Sequence, residues 1–154
     1  MDNYLIIYSG RNYFIPIQKG FIEMNNNVVR RLDSSKICKA VGNYTHITKI
    51  EPNATFYTFS GQIGADLEGN LPNEFNQQVN NTFLNISNLL KSINLTPDNV
   101  IKVNIWSTEQ IDWDYFDKVY NDFFSKPSPS MTVAYVNALG LEEIKLEIEI
   151  WAAN

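Results

Sequence analysis

Apolar residues recur along this chain at two different spacings, one of which predicts helices and the other strands. The clearest helical stripe has apolar residues at steps of three and four, and Asn94 follows it as a residue that readily takes the left-handed conformation that ends helices. Pro72 lies near its start, where a missing N–H costs nothing. The stripe consists of Phe75, Val79, Phe83, Ile86, Leu90 and Ile93. It predicts an amphipathic helix.

A second, shorter stripe predicts another helix, which Asp112 can cap. This stripe consists of Trp113, Phe116, Val119, Tyr120 and Phe123. Alternating or β-branched segments predict strands, and two prolines stiffen the loop that leads into the fifth of them. The predicted strands are 36–41, 44–50, 55–60, 100–106, 132–136 and 144–150.

The resulting order is β-β-β-α-β-α-β-β, which predicts a mixed α+β domain. Both helices need an apolar surface for their stripes, so we expect them on one face of a single mixed sheet. The opposite face would expose Lys102, Trp106, Tyr135, Glu147, Glu149 and Trp151. Tryptophans among charges on a sheet face predict that another subunit covers it.

The first residues do not share this regular pattern, and we predict an N-terminal extension over 1–36 before a domain over 37–154. Two interpretations of residues 1–23 stay open. Met24 could be the natural start, with 1–23 as translated leader, because Lys19-Gly20 can be encoded by a ribosome-binding-like sequence. Alternatively, 4–8 could add a strand to a sheet edge.

Composition excludes several classes of function. With 154 residues and 44% apolar residues the chain is expected to form one globular domain. A net charge of −5 argues against a nucleic-acid-binding groove, and no apolar run is long enough to span a membrane. A single cysteine, Cys38, and a single histidine, His46, predict no disulfide and no metal site. We expect a cytoplasmic protein, and His46 to be an ordinary surface or interface side chain.

Five short motifs then appear in a characteristic order and spacing. They are Gly42-Asn-Tyr-Thr45, Phe59-Ser-Gly-Gln-Ile63, Asn94-Leu-Thr-Pro-Asp-Asn-Val-Ile-Lys102, Val119-Tyr-Asn-Asp-Phe-Phe124 and Lys145-Leu-Glu-Ile-Glu149. Together they resemble the successive signatures of the RidA (YjgF-like) family over roughly 37–151.

The resemblance implies a chorismate-mutase-like fold, a homotrimer and small-molecule clefts at the subunit interfaces. It also implies hydrolysis of reactive enamines and imines, such as 2-aminoacrylate, without metal or organic cofactor. Glu147 matches the family's water-ordering acid. Tyr44, Ser60, Gly61 and Thr132 match residues that bind substrate.

Met131 departs from the family pattern, because it stands where the family has the arginine that grips the substrate carboxylate. A thioether cannot donate to a carboxylate, so we expect an altered, uncharged or cationic ligand. Lys126 is a possible substitute cation, although the prolines beside it oppose this, and Asp117 replaces a family asparagine. Two functions stay open: an imine hydrolase with a changed substrate, or a non-catalytic trimeric metabolite-binding protein. Ribonuclease or translation-inhibitor activity is a distant third.

Overall fold

The structure is a computed structural model, which describes residues 3–8, 11–16 and 28–154. The elements in chain order are β1 (Asn3–Tyr8), β2 (Arg11–Pro16), β3 (Val29–Leu32), β4 (Ile47–Ile50), β5 (Phe56–Thr58), α1 (Phe75–Ser92), a 3-10 turn (Pro97–Asn99), β6 (Val100–Ser107), α2 (Trp113–Phe123), β7 (Ser130–Tyr135) and β8 (Leu146–Ala153).

A four-stranded mixed sheet with the order β5-β8-β6-β7 forms the centre of the fold. Strand β7 runs parallel to β6, whereas β8 pairs antiparallel with both β5 and β6. Helices α1 and α2 pack on one face of this sheet, so the predicted mixed α+β fold with both helices on one side is confirmed.

The two faces of the sheet follow from the alternation along its strands. On the helix face, Val103, Ile105 and Leu146 are buried under α1 and α2, each with at most 1% exposure. The open face is the opposite side, and its residues are only partly buried or exposed. It carries Lys102, Asn104, Trp106, Glu147, Glu149 and Trp151.

The helices form where the apolar stripes predict them. Val79, Phe83 and Ile86 of α1 are at most 3% exposed. Asn94 takes a φ of 59° after the helix, as predicted. The Asp112 carboxylate accepts a hydrogen bond of 3.2 Å from the N–H of Tyr115, so the predicted cap of α2 is also confirmed.

The predicted strand over 36–41 is wrong, because this stretch is irregular and mostly exposed. Its apolar residues find no partner surface: Ile37 is 53% exposed and Val41 is 92% exposed. The strand forms earlier, at β3, which pairs antiparallel with β4 as a separate two-stranded sheet. β3 and β4 therefore lie outside the four-stranded mixed sheet on which the two helices pack.

Side chains join the β3–β4 pair to the central sheet. The guanidinium of Arg31 donates to the carbonyls of Pro127 at 2.7 Å and Val100 at 3.0 Å, and burial lowers its pKa. Thr45 donates to the Ser128 carbonyl at 3.0 Å. These contacts hold the loop that leads into β7.

The open face differs from the prediction at one residue. Tyr135 is in register with Ser107, whose side chain points to the helix face, and its hydroxyl accepts a hydrogen bond from the N–H of Ile111. Tyr135 therefore lies on the helix side, at the edge of the sheet. The prediction was wrong because it depended on the register of β7 against β6, which the alternation within one strand does not reveal.

The N-terminal strands form a pair of their own. β1 pairs antiparallel with β2, so the segment 4–8 is a strand but is not added to the edge of the central sheet. Met24 lies outside the described residues. Within the described part of the chain, no helix combines the length and apolar character needed to cross a lipid bilayer.

The loop after β5 is fastened closely to α1. Asn81 donates to the Gly64 carbonyl at 3.0 Å, and Asn85 donates to the carbonyls of Ile63 and Ala65, each at 2.9 Å. A Cβ on Gly64 would lie 2.5–2.9 Å from backbone atoms of Gln78, closer than packed atoms approach. Glycine is thus required for this contact between loop and helix.

We predict that Gly64→Ala destabilises the fold by about 1–3 kcal/mol, because the added methyl group must push apart two segments of backbone. Gly140→Ala is the matched control, since a Cβ there meets nothing within 4 Å, and it should change stability by less than about 0.5 kcal/mol. Urea denaturation of the three proteins measures both effects. Equal stability of the Gly64→Ala and Gly140→Ala proteins would contradict the close approach.

Candidate active site

A cleft of about 520 Å³ lies beside β7, between the start of α2 and the segment before Thr45. We name it the Met131 cleft. It is lined by Val41, Gly42, Asn43, Tyr44, Trp113, Asp117, Met131 and Val133. Two of the residues selected from the sequence, Tyr44 and Met131, therefore line one cavity.

Strand β7 and helix α2 supply most of the wall. Met131 and Val133 are in register with the buried Val103 and Ile105, which places them on the helix face at the sheet edge. Trp113 and Asp117 are four residues apart on α2 and so share one side of the helix.

Hydrogen bonds fix the strand that carries Met131. Ser130, the residue before it, donates from its hydroxyl to the Ile101 carbonyl at 3.0 Å. The Thr48 hydroxyl contacts the Ser130 hydroxyl at 3.2 Å. With the contacts of Arg31 and Thr45 to the preceding loop, they leave the start of β7 little freedom.

Tyr44 is held by its own turn. Its N–H donates to the Gly42 carbonyl at 3.0 Å, and its ring meets His46 edge-on at 5.6 Å between centroids. The His46 ring in turn lies 2.9 Å from the Asp33 carboxylate. Hydrogen bonds from the backbone and the side chain of His46 lower the pKa of Asp33. His46 therefore supports Tyr44 and does not itself line the cleft.

Glu147 lies elsewhere, on the open face and against Gly61. Reciprocal backbone hydrogen bonds between Gln62 and Ile148, at 2.8 and 2.9 Å, bring Gly61 next to β8. A Cβ on Gly61 would lie 2.6 Å from the carboxyl carbon of Glu147. The Glu147 side chain thus occupies space that only glycine leaves free. The neighbouring Ser60 is exposed, and its carbonyl accepts from Gln62 at 3.0 Å.

Thr132 belongs to the open face as well. It is in register with Asn104, and its hydroxyl accepts a hydrogen bond of 2.6 Å from the ammonium of Lys102. Burial lowers the pKa of Lys102. Thr132 therefore does not join Met131 in the cleft, although the two are adjacent in the chain.

The candidate residues form two groups that one chain does not bring together. β7 and β8 are separated by β6, and Met131 and Glu147 lie three residues apart along the strands. Strand spacing and rise then put their Cα atoms about 14 Å apart, with side chains on opposite faces. Within one chain, Glu147 is therefore not among the residues that line the Met131 cleft.

Sequence reasoning missed Trp113 as a cleft residue and left the position of Asp117 open. Trp113 fitted the apolar stripe of α2, yet it is 40% exposed and lines the cleft. The four-residue spacing from Trp113 to Asp117 was the available signal. Lys126, in contrast, lines a separate polar pocket with Arg31 and Asp98, so it does not replace the missing arginine here.

Comparison of the sequence with known proteins identifies a family that this chain resembles. The model of the family described as endoribonuclease L-PSP matches residues 34–154. A RutC family protein of Aquifex aeolicus is 30% identical over 129 residues, which make up 82% of this chain and 100% of the relative. Protein HMF1 of Saccharomyces cerevisiae is 31% identical over 120 residues, 75% of this chain and 87% of HMF1.

Solved structures show the same fold. The Rid family protein YyfB of Yersinia pestis superposes with a TM-score of 0.72 at 18% identity, covering 82% of this chain and 99% of YyfB. RidA of an Antarctic Psychrobacter is 27% identical with a TM-score of 0.59, covering 80% of this chain and 98% of that protein. The predicted chorismate-mutase-like fold is confirmed. The chain belongs to the RidA (YjgF-like) family, whose family model is described as endoribonuclease L-PSP.

Proposed function

We propose that the protein is a homotrimeric hydrolase of enamines or imines whose substrate differs from the imino acids of its relatives. The observation that carries the proposal is the Glu147 carboxylate, which lies against Gly61 on the open face of the sheet, where the described residues are only partly buried or exposed. The family resemblance supports the reaction class, and the Met131 cleft supports the change of substrate.

The open face supports assembly into a trimer. Trp151 is 43% exposed and Trp106 is only partly buried, although both lie on the two central strands of the sheet. The Trp151 indole donates to the Glu149 carboxylate, which satisfies its N–H without covering its ring. Burying such rings against other copies of the chain would be strongly favourable.

The trimer would complete the active site. Family members place their clefts between subunits, and here Met131 and Glu147 lie on opposite faces of one chain. In such an assembly, Glu147 of one subunit would approach the Met131 cleft of the next. The subunit that forms the cleft would contribute Tyr44, Trp113 and Asp117. Its neighbour would contribute Gly61 and Glu147.

Glu147 can act as the general base of the reaction. It would take a proton from water as the oxygen attacks the carbon of a protonated imine. It would then return this proton to the nitrogen of the resulting carbinolamine, whose C–N bond breaks as the hydroxyl proton passes to the departing ammonia. The sum is one iminium and one water giving one carbonyl compound and one ammonium ion. No metal or organic cofactor is needed for these steps.

Met131 excludes the usual means of binding a carboxylate. Loss of a charge-assisted contact to a buried carboxylate costs about 2–5 kcal/mol, which is a roughly thirtyfold to several-thousandfold weakening. A 2-imino acid is therefore a poor substrate for this site. The same substitution favours a second candidate, a trimeric protein that binds a metabolite without turning it over. Ribonuclease activity is not supported, because the chain carries a net charge of −5.

Replacing Glu147 separates the two candidates. We expect the wild-type protein to release ammonia from at least one member of a panel of neutral and charged imines. Glu147→Gln should lower that rate roughly a hundredfold to ten-thousandfold, because the amide cannot accept the proton. Glu149→Gln, on the same strand and face, is the control and should keep most of the rate. Ligand binding without turnover of any imine would support the binding protein.

Replacing Met131 tests the change of substrate. Met131→Arg should raise kcat/KM for 2-aminoacrylate roughly thirtyfold or more, because the guanidinium restores a bidentate carboxylate contact. Met131→Gln, of similar length but without charge, should give no such gain. Met131 lines a cleft of about 520 Å³, and Tyr135 is not among the residues that line it. A folded, trimeric Met131→Arg protein without any gain would show that the pocket is rebuilt in some further way.

A further inference from the structure

The Met131 cleft carries an acidic side chain, which would repel an anionic ligand. Of the eight described residues that line it, Asp117 is the one with an acidic or basic side chain. Nothing in the described part of the chain forms an ion pair or hydrogen bond with its carboxylate. Position 131 holds a neutral thioether, and position 117 holds a carboxylate.

Aromatic rings accompany this carboxylate. Tyr44 and Trp113 both line the cleft, and Trp113 is held against Phe116 with ring centroids 5.7 Å apart. Rings of tyrosine and tryptophan attract cations to their faces, tryptophan most strongly. Met131 adds a polarisable apolar surface. An anionic side chain beside two aromatic rings is a combination that binds organic cations.

No lysine or arginine is among the described residues that line the Met131 cleft. The ammonium of Lys102 donates to Thr132 on the open face, and Lys126 lines the separate polar pocket with Arg31. Neither residue lines the Met131 cleft. The charge of Asp117 is therefore left for a ligand to balance.

We propose that the cleft takes an organic cation without a carboxylate, namely the iminium form of an imine derived from a simple amine. This inference rests on the proposed function, which also places Glu147 of a neighbouring subunit at the cleft and so adds a second anion. Hydrolysis would convert R₂C=NH₂⁺ and H₂O into R₂C=O and NH₄⁺. The nitrogen leaves with the positive charge, and the carbonyl oxygen comes from water.

The proposal also defines the reaction that supplies the substrate. A carboxylate-free imine arises when an amine is oxidised by two electrons at its C–N bond. We therefore place this protein after an amine-oxidising step.

Three ligands of similar shape and different charge test the cation preference: benzylamine, benzyl alcohol and benzoate. Isothermal titration of the full-length protein should give the tightest binding for benzylamine and the weakest for benzoate. Asp117→Asn should weaken benzylamine roughly three- to thirtyfold, because it removes a partly screened charge contact. Benzyl alcohol should change little. Asp114→Asn removes the same charge from an exposed position of α2 outside the cleft and should leave benzylamine affinity unchanged.

Ligand binding and imine turnover test the two proposals separately. Benzoate binding as tightly as benzylamine, equal losses in both variants, or no binding of any of the three ligands would overturn the cation preference even if imines are hydrolysed. Preferential benzylamine binding that depends on Asp117, without hydrolysis of any imine, would support the cation preference and overturn the proposed hydrolase.

Discussion

The alternation along β8 is the constraint on which the rest of the structure depends. Leu146, Ile148 and Ile150 are fully buried beneath the helices, so the residues between them must point to the other side of the sheet. This requirement puts Glu147 on the open face. Packing of the core therefore decides where the candidate catalytic acid lies.

The same alternation decides which residues of the parallel pair β6 and β7 lie on each face of the sheet. The register of this pair puts Met131 and Val133 beside the buried residues of β6, on the helix face. It puts Thr132 and Lys102 on the open face. Adjacent residues of one short motif consequently belong to different surfaces. The proposed trimer is the arrangement that would bring the two surfaces together again.

Much of this could be predicted from the sequence because it depends on local periodicity. The stripes of α1 and α2, the cap at Asp112 and the alternation of β8 each follow from contacts within a few residues along the chain. The faces of Tyr135 and Thr132 depend on the register between strands about 30 residues apart, which local patterns do not encode. The strand predicted over 36–41 failed for a related reason, since β3 supplies the partner of β4.

The residues of the candidate site could be selected from the sequence only where a family motif contains them. Tyr44, Gly61 and Glu147 came from the resemblance, and the structure adds that Gly61 leaves room for the Glu147 side chain. Trp113 looked like a core residue, because a stripe does not show which of its members lies at the helix end beside a cleft. The sequence shows a neutral side chain at Met131 and an acidic one at Asp117. Only the folded structure shows that both residues line one cavity.

The central claim is that Met131 and Glu147 meet between chains and not within one. It is tested most directly by the double variant Met131→Cys, Glu147→Cys in a Cys38→Ser background, treated with a short thiol-specific cross-linker. Denaturing electrophoresis should show covalent dimers and trimers, because the two positions of one chain lie about 14 Å apart on opposite faces. Monomers alone, at a concentration where the uncross-linked protein is assembled, would contradict the claim.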